Sequence, residues 1–216
     1  MVQFPLRKAA VFGGTFDPVH NGHIAIARAA VVQFDLDLVL WVPTFCPPHK
    51  ANRSISAFDR RFRMVELAIE FDSHFIASAV ESEQSGRSFA IETLGRLQQR
   101  YSARSWYWIA GTDSARSLPR WVGAAEFARR CEWIVAPRSY DDGERILQDL
   151  TQQFAAYQIP WQGHLLRGVC EAVSSSDVRR ACREGKRLDG LVPPNIAVYL
   201  ETHPLYREVG AVDLPI

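Results

Sequence analysis

The sequence predicts an α/β protein built as a doubly wound parallel sheet with helices on both faces and a small C-terminal helical appendage. Three observations carry this. Short runs apolar on both faces, such as Ala9 to Phe12, alternate with amphipathic stretches of helical period along the whole chain. Polar segments rich in glycine and proline follow the carboxyl ends of those runs, where ligands bind in open α/β sheets. Finally, 216 residues that are 47% hydrophobic and 23% charged suffice to bury one sizeable core. Residues 1–216 are therefore expected to form one domain, with about 173–216 as its helical C-terminal part.

Element by element, the first strand is expected at Ala9 to Phe12 and the following helix at Gly22 to Phe34, with Ile24, Ala27, Val31 and Phe34 three or four apart. Leu38 to Val42 reads as a second buried strand, completing a crossover unit. Residues 43–55 hold three prolines and no period, so they form a loop that presents His49 and Lys50. Ser56, with Asp59 three later, predicts a cap for a helix to about Phe71, with Phe58, Phe62, Val65 and Ile69 inward and the basic run Arg60, Arg61 and Arg63 mainly on a solvated face. Phe75 to Val80 is strand-like, and Ser88 is the expected cap of a helix carrying Ile91, Leu94 and Leu97. Further strands are expected at Trp106 to Ile109, Cys131 to Ala136 and Leu165 to Val169, with a helix from Asp141 to about Tyr157 between the last two. A helix starts among Ser174, Ser175 and Ser176 and ends at Gly185, Pro193 and Pro194 start another, and the chain frays from about Glu208.

Composition narrows the partners. A formal net charge of +1 gives no basic field for a nucleic-acid backbone, and no apolar run is long enough to span a membrane or serve as a signal peptide. Cys46, Cys131, Cys170 and Cys182 are widely spaced with no Cys-x-x-Cys pair, which predicts reduced, mostly buried thiols in a cytoplasmic protein. Oligomeric state is not legible.

The chemistry is concentrated in VFGGTFDPVHNGHIAIA, residues 11–27. Gly13 and Gly14 permit a sharp turn off the strand that points N–H groups of the Gly13-Gly14-Thr15-Phe16 segment at an anion, with Asp17 at its rim. Gly22 keeps a side chain away from the place where a phosphate meets the helix start, and His20 and His23 flank it. Their i, i+3 spacing without a His-Glu-x-x-His argues against zinc, and neither a Gly-Lys-Ser/Thr loop nor a Gly-x-Gly-x-x-Gly is present. A second anion site is predicted at VSSSDVR, where three serines and Arg179 converge on one helix start. Gly111 allows a nucleotide against the backbone, and Asp113 is either a ribose or metal-water partner or a helix cap. Trp121 is either core or a stacking platform, and Arg138 either holds a phosphate or pairs on the surface.

GGTFDPVHNGH resembles the signature of the His-x-Gly-His nucleotidyltransferase superfamily, and the ordered set of PPHK, SFAIETL, GTDS, RW and SSSDVR extends the resemblance, over nearly the full length, to bacterial nicotinate-nucleotide adenylyltransferases. That resemblance implies a Rossmann-like fold and transfer of AMP from ATP to nicotinate mononucleotide, giving deamido-NAD and pyrophosphate, with Mg²⁺ on the triphosphate. It implies that His20, His23 and Arg179 serve the reacting phosphates, and that the GGTF backbone, Gly22, Gly111, Asp113, Ser174, Ser175 and Ser176 hold ATP. Asp17, His49, Lys50, Ser88, Phe89, Ala90, Trp121, Val122 and Arg138 are then on the mononucleotide side. Phe89, Ala90 and Val122 stand where the family has tyrosine, threonine and often tyrosine, changes that main-chain contacts tolerate. Adenylyl transfer to nicotinamide mononucleotide or phosphopantetheine, and non-catalytic nucleotide sensing, are the alternatives.

Overall fold

The computed structural model describes residues 6–46, 55–83, 86–137, 140–169 and 173–206, with the backbone alone at 140 and 141. In chain order the elements are β1 (Leu6–Gly14), α1 (Asn21–Phe34), β2 (Leu38–Pro43), α2 (Phe58–Ile69), β3 (Phe75–Ala77), α3 (Ala90–Arg100) and β4 (Ala103–Gly111). They continue with α4 (Thr112–Ser117), a 3₁₀ turn at Leu118–Arg120, α5 (Ala124–Arg130), β5 (Glu132–Ala136), α6 (Tyr140–Ala156), β6 (Gly163–Leu165), α7 (Ser175–Arg183) and α8 (Pro194–Thr202). All strand pairs are parallel and the order is β3-β2-β1-β4-β5-β6, so the sheet reverses its winding between β1 and β4. That reversal opens a crevice at the carboxyl ends of those two strands. The doubly wound Rossmann-like expectation is met.

Period-two alternation divides the core into two layers. Ala10, Phe12, Val39, Trp41, Tyr107, Ile109, Ile134 and Ala136 face α1, α2, α7 and α8. Ala9, Val11, Leu38, Leu40, Trp106, Trp108, Trp133 and Val135 face α3 to α6. Because both faces are covered, the strands carry no polar side and read as continuous apolar runs. The C-terminal helices expected as an appendage lie on the first face, and their Val178, Ala181, Ile196 and Leu200 share its cluster with the sheet.

Several boundaries differ from expectation for a common reason. β1 and β4 run longer than their apolar centres, because main-chain pairing continues through the polar residues at their N-terminal ends and the small residues at their C-terminal ends. β3 and β6 are only three residues each, lying at the sheet edges, and β6 ends where a strand at 165–169 was expected to begin. The caps move as well. Ala57 precedes α2 and Phe89 precedes α3, neither with a side-chain cap, so Ser56 and Ser88 are released for other contacts. Of the described cysteines, Cys131 and Cys182 are buried and Cys46 is exposed.

Leu40 is fully buried at the centre of β2, so truncating it leaves a cavity that its neighbours refill only in part. Leu40→Ala should cost about 2 to 5 kcal/mol, read as a loss of unfolding free energy in urea with an unchanged m-value.

Candidate active site

The segment after β1 is fixed through its carbonyls by three side chains from two distant helices, α2 and α7. The Arg61 guanidinium donates to the Thr15 carbonyl at 2.7 Å, Arg179 donates to the Asp17 carbonyl at 2.6 Å, and the Ser175 hydroxyl donates to the Pro18 carbonyl at 2.9 Å. In a trans peptide the carbonyl and the following N–H point opposite ways, so anchoring the Thr15 carbonyl turns the Phe16 amide to the other side. Phe16 itself sits at φ 49°, and this non-glycine residue makes the turn. Gly13 and Gly14 do not. They finish β1 without left-handed angles, and they are small because a Cβ would meet the Trp108 ring at 3.0 Å and the Phe16 ring at 2.9 Å respectively.

His20 and His23 form a reciprocal cap at the start of α1. The His23 amide donates to His20 Nδ1 at 3.4 Å, the His20 amide to His23 Nδ1 at 3.2 Å, and the rings stack with centroids 3.6 Å apart. An Nδ1 that accepts a backbone hydrogen bond leaves the neutral ring's proton on Nε2, so each imidazole is a donor at its outer nitrogen. Burial pushes His20 down to about 4 against a partial restoring effect from Asp177, and it pushes His23 well down too, with His20 as a second cause. Both rings are thus neutral near pH 7 and act by hydrogen bonding. Gly22 between them is required by protein contacts, since a Cβ there would lie 3.0 Å from His20 Nδ1 and 3.2 Å from the Val173 carbonyl. It lets the start of α7 approach the start of α1.

At α7 the three serines divide their work. Ser174 is the cap, exchanging bonds with Asp177 in a capping box, Ser175 reaches Pro18, and the exposed Ser176 hydroxyl accepts from Arg179 at 3.0 Å. Arg179 therefore touches both anion segments predicted from the sequence. Across the crevice, Gly111 ends β4 with open space above its Cα, and Asp113 is exposed in the first turn of α4, so it is not the cap.

On the mononucleotide side, Phe89 and Ala90 lie half-buried at the start of α3. Ser88 pairs with the segment after β2, where the Cys46 amide donates to its hydroxyl and its own amide donates to the Cys46 carbonyl, both at 3.4 Å. Trp121 is half-buried against Trp108, Phe127 and Trp133, with Nε1 donating to Ser117 at 2.8 Å, and Val122 beside it is exposed. Asp17 is buried and accepts from the Tyr206 hydroxyl at 2.5 Å and the Ser56 amide at 3.4 Å. His49, Lys50 and Arg138 lie outside the described residues.

Two residues were missed in the sequence. Arg61, expected on a solvated face, is 2% exposed and clamps the Thr15, Thr44 and Ser56 carbonyls at 2.7 to 2.8 Å. Its signal was positional, because Arg61 lies three and four residues before buried Met64 and Val65 and so falls on the inward stripe of α2. Tyr206 had no local signal, since its partner Asp17 is 189 residues away.

Known proteins were compared with this chain. A cytidylyltransferase-like family matches residues 11–181. A "Probable nicotinate-nucleotide adenylyltransferase" of a Synechococcus strain is 42% identical over 203 residues, covering 94% of this chain and 98% of the relative. One of the same name from Trichormus variabilis is 40% identical over 208 residues, covering 94% and 99%. Among solved structures, a Plasmodium falciparum nicotinic acid mononucleotide adenylyltransferase complexed with NaAD superposes with a TM-score of 0.72 at 17% identity, covering 93% of this chain and 97% of that one, a likeness of fold.

The depressed histidines make stability sensitive to acid. An imidazole whose folded value lies below its ordinary 6.5 takes up protons more readily when unfolded, so its contribution is present above pH 6.5 and is lost as pH falls through about 4. For His20 alone that window corresponds to at most about 3 kcal/mol. Thermal midpoints measured from pH 7 to pH 4 should fall more steeply for the parent than for His20→Asn, which keeps a capping acceptor but cannot titrate. Parallel curves would show that His20 ionises freely in the fold.

Proposed function

This chain belongs to the cytidylyltransferase-like family, among its nicotinate-nucleotide adenylyltransferases, and we propose that it transfers AMP from ATP to nicotinate mononucleotide on the stacked histidine pair and the Arg179 clamp. A phosphate oxygen of the mononucleotide attacks the α-phosphorus of ATP, the bond from that phosphorus to the β-bridging oxygen breaks, and pyrophosphate leaves with the electron pair. Deamido-NAD is the other product, which makes the chain a nucleotidyltransferase of NAD biosynthesis. The attacking phosphate is already ionised near neutral pH, so the protein has to position and neutralise charge and needs no catalytic base. The observation that carries the assignment of roles is the contact of Arg179 and Ser175 with the carbonyls of Asp17 and Pro18. It brings the second anion segment onto the signature loop beside the histidines.

In this reading His20 and His23 donate neutral hydrogen bonds to the α-phosphate through Nε2. The positive charge is supplied by Arg179 and by the starts of α1 and α7. The Gly13-Gly14-Thr15-Phe16 backbone and the serines Ser174, Ser175 and Ser176 hold the phosphates, and Gly111 and Asp113 hold the adenosine. The start of α3 at Ser88, Phe89 and Ala90 takes the nicotinate carboxylate, whose charge suits free amides. The exposed part of Trp121 takes the ring, while Asp17, His49, Lys50, Val122 and Arg138 complete the mononucleotide side.

Mg²⁺ fits as a passenger on the triphosphate. Among the described residues no three His, Cys, Asp or Glu side chains gather into a cage, and magnesium held by phosphates needs none beyond an accessible carboxylate such as Asp113. When bound it lowers the charge that Arg179 and the histidines must meet. No described helix is long and apolar enough to cross a membrane, and the reading assigns the chain to the cytoplasm as a single domain.

Steady-state pyrophosphate release with ATP, magnesium and each mononucleotide tests the reading, and faster turnover on the amide would reassign the acceptor. Removing one donor to a developing anion commonly costs about 10² to 10³ in rate, so His20→Ala or His23→Ala should lower kcat at least that far in folded protein. Unchanged turnover in either would remove that histidine from the chemistry.

A further inference from the structure

We propose that Glu81 is a positioning residue for the pyridine-nucleotide subsite, setting the gap between the segment after β2 and the start of α3. The proposal rests on the preceding reading of that subsite. Glu81 exposes 6% of its surface and Thr93 none, so both lie behind the pocket wall. One carboxylate oxygen accepts from the Phe45 amide at 3.0 Å and the other from the Thr93 hydroxyl at 3.0 Å. These donors belong to different walls, one 36 residues and the other 12 residues from Glu81 in sequence. Ser88 and Cys46 join the same two walls directly, but at 3.4 Å each, the long end of the hydrogen-bonding range. The bonds to Glu81, at 3.0 Å each, are the closer link between the two walls and therefore set the spacing.

From the other side, Arg61 holds the carbonyl of Thr44, the neighbour of Phe45, at 2.8 Å, and the same guanidinium holds Thr15 of the signature loop. The segment 44–46 is thus strung between a buried guanidinium that also holds the loop after β1 and a buried carboxyl group that also holds α3. Burial pushes the Glu81 carboxyl up, while Ser88, Phe45, Thr93 and the Arg61 charge hold it down, so the site resists ionisation less than an isolated buried acid would. A group that served only the fold would lower thermal stability when altered and leave substrate affinity alone. A positioning group changes the affinity for one substrate.

The test uses full-length Glu81→Gln, Thr93→Val and Thr93→Ser, assayed by pyrophosphate release with nicotinate mononucleotide varied at saturating ATP and then the reverse. Glutamine keeps one acceptor oxygen and puts a donor in place of the other, so KM for the mononucleotide should rise about tenfold or more while kcat and KM for ATP stay within about threefold, the signature of a binding interaction made equally in the ground state and the transition state. Thr93→Val should move KM the same way, and Thr93→Ser, which restores the hydroxyl, should bring it back to within about twofold of the parent. Because Thr93 is shut away from substrate, the threonine pair decides the matter even if Glu81→Gln fails to fold. Variants that melt lower with an unmoved mononucleotide KM, or a parallel rise in KM for ATP, overturn the proposal. Failure of the parent to turn over nicotinate mononucleotide overturns the functional reading instead.

Discussion

The whole site depends on the anchoring of three carbonyls, those of Thr15, Asp17 and Pro18, by donors from α2 and α7. A loop that must offer amides to a phosphate has to dispose of its carbonyls elsewhere, because an unpaired carbonyl beside an anion is repelled by it and an unpaired buried one is costly. Two guanidiniums and a hydroxyl solve both difficulties together. The two guanidiniums also put cationic charge behind the loop, next to histidines that burial keeps neutral. The C-terminal helices consequently belong to the site as much as to the core. α7 packs Val178 and Ala181 on the sheet while its first turn holds the loop after β1.

The layered architecture was legible because buried parallel strands leave an unusually plain trace, and Leu38 to Val42 or Cys131 to Ala136 can hardly be anything else. The anion segments were legible too, since two histidines around a glycine and three serines before an arginine are uncommon in ordinary helix starts. Misreadings arose where one residue type serves two physical purposes. Glycine offers both unusual backbone angles and the absence of a side chain. At Gly13 and Gly14 the second purpose holds, and only the identity of Trp108 and Phe16 as neighbours reveals it, while at Gly22, where the absence of a side chain was expected, the close neighbours are the His20 ring and the Val173 carbonyl. Serine before a helix suggests a cap, but Ser88 instead links two walls, and Ser56 lies beside Asp17.

Arg61 illustrates the limit of composition as a guide. Three arginines within four residues look like a wetted surface, and for Arg60 and Arg63 that is so. Helical phase separates the middle one from the others, and a guanidinium with several donors is a side chain able to satisfy several converging loop carbonyls at once. Glu81 is its counterpart, an acid buried where three donors meet it. Neither residue belongs to a recognisable motif, because Arg61 meets main-chain carbonyls and Glu81 meets an amide and hydroxyls of other segments, and all of these reach their positions only in the finished fold.

The aromatic cluster around Trp121 has a practical consequence. Its ring centroid lies 6.4 Å from that of Trp108 and 5.5 Å from that of Trp133, close enough for the three indoles to exchange excitation energy, and Trp121 is the half-buried one of the three. Light absorbed deep in the sheet can therefore be emitted from the indole nearest the surface. Anything that packs against Trp121 would then register as a change in ultraviolet emission, so the protein carries its own optical indicator for that surface without any attached dye.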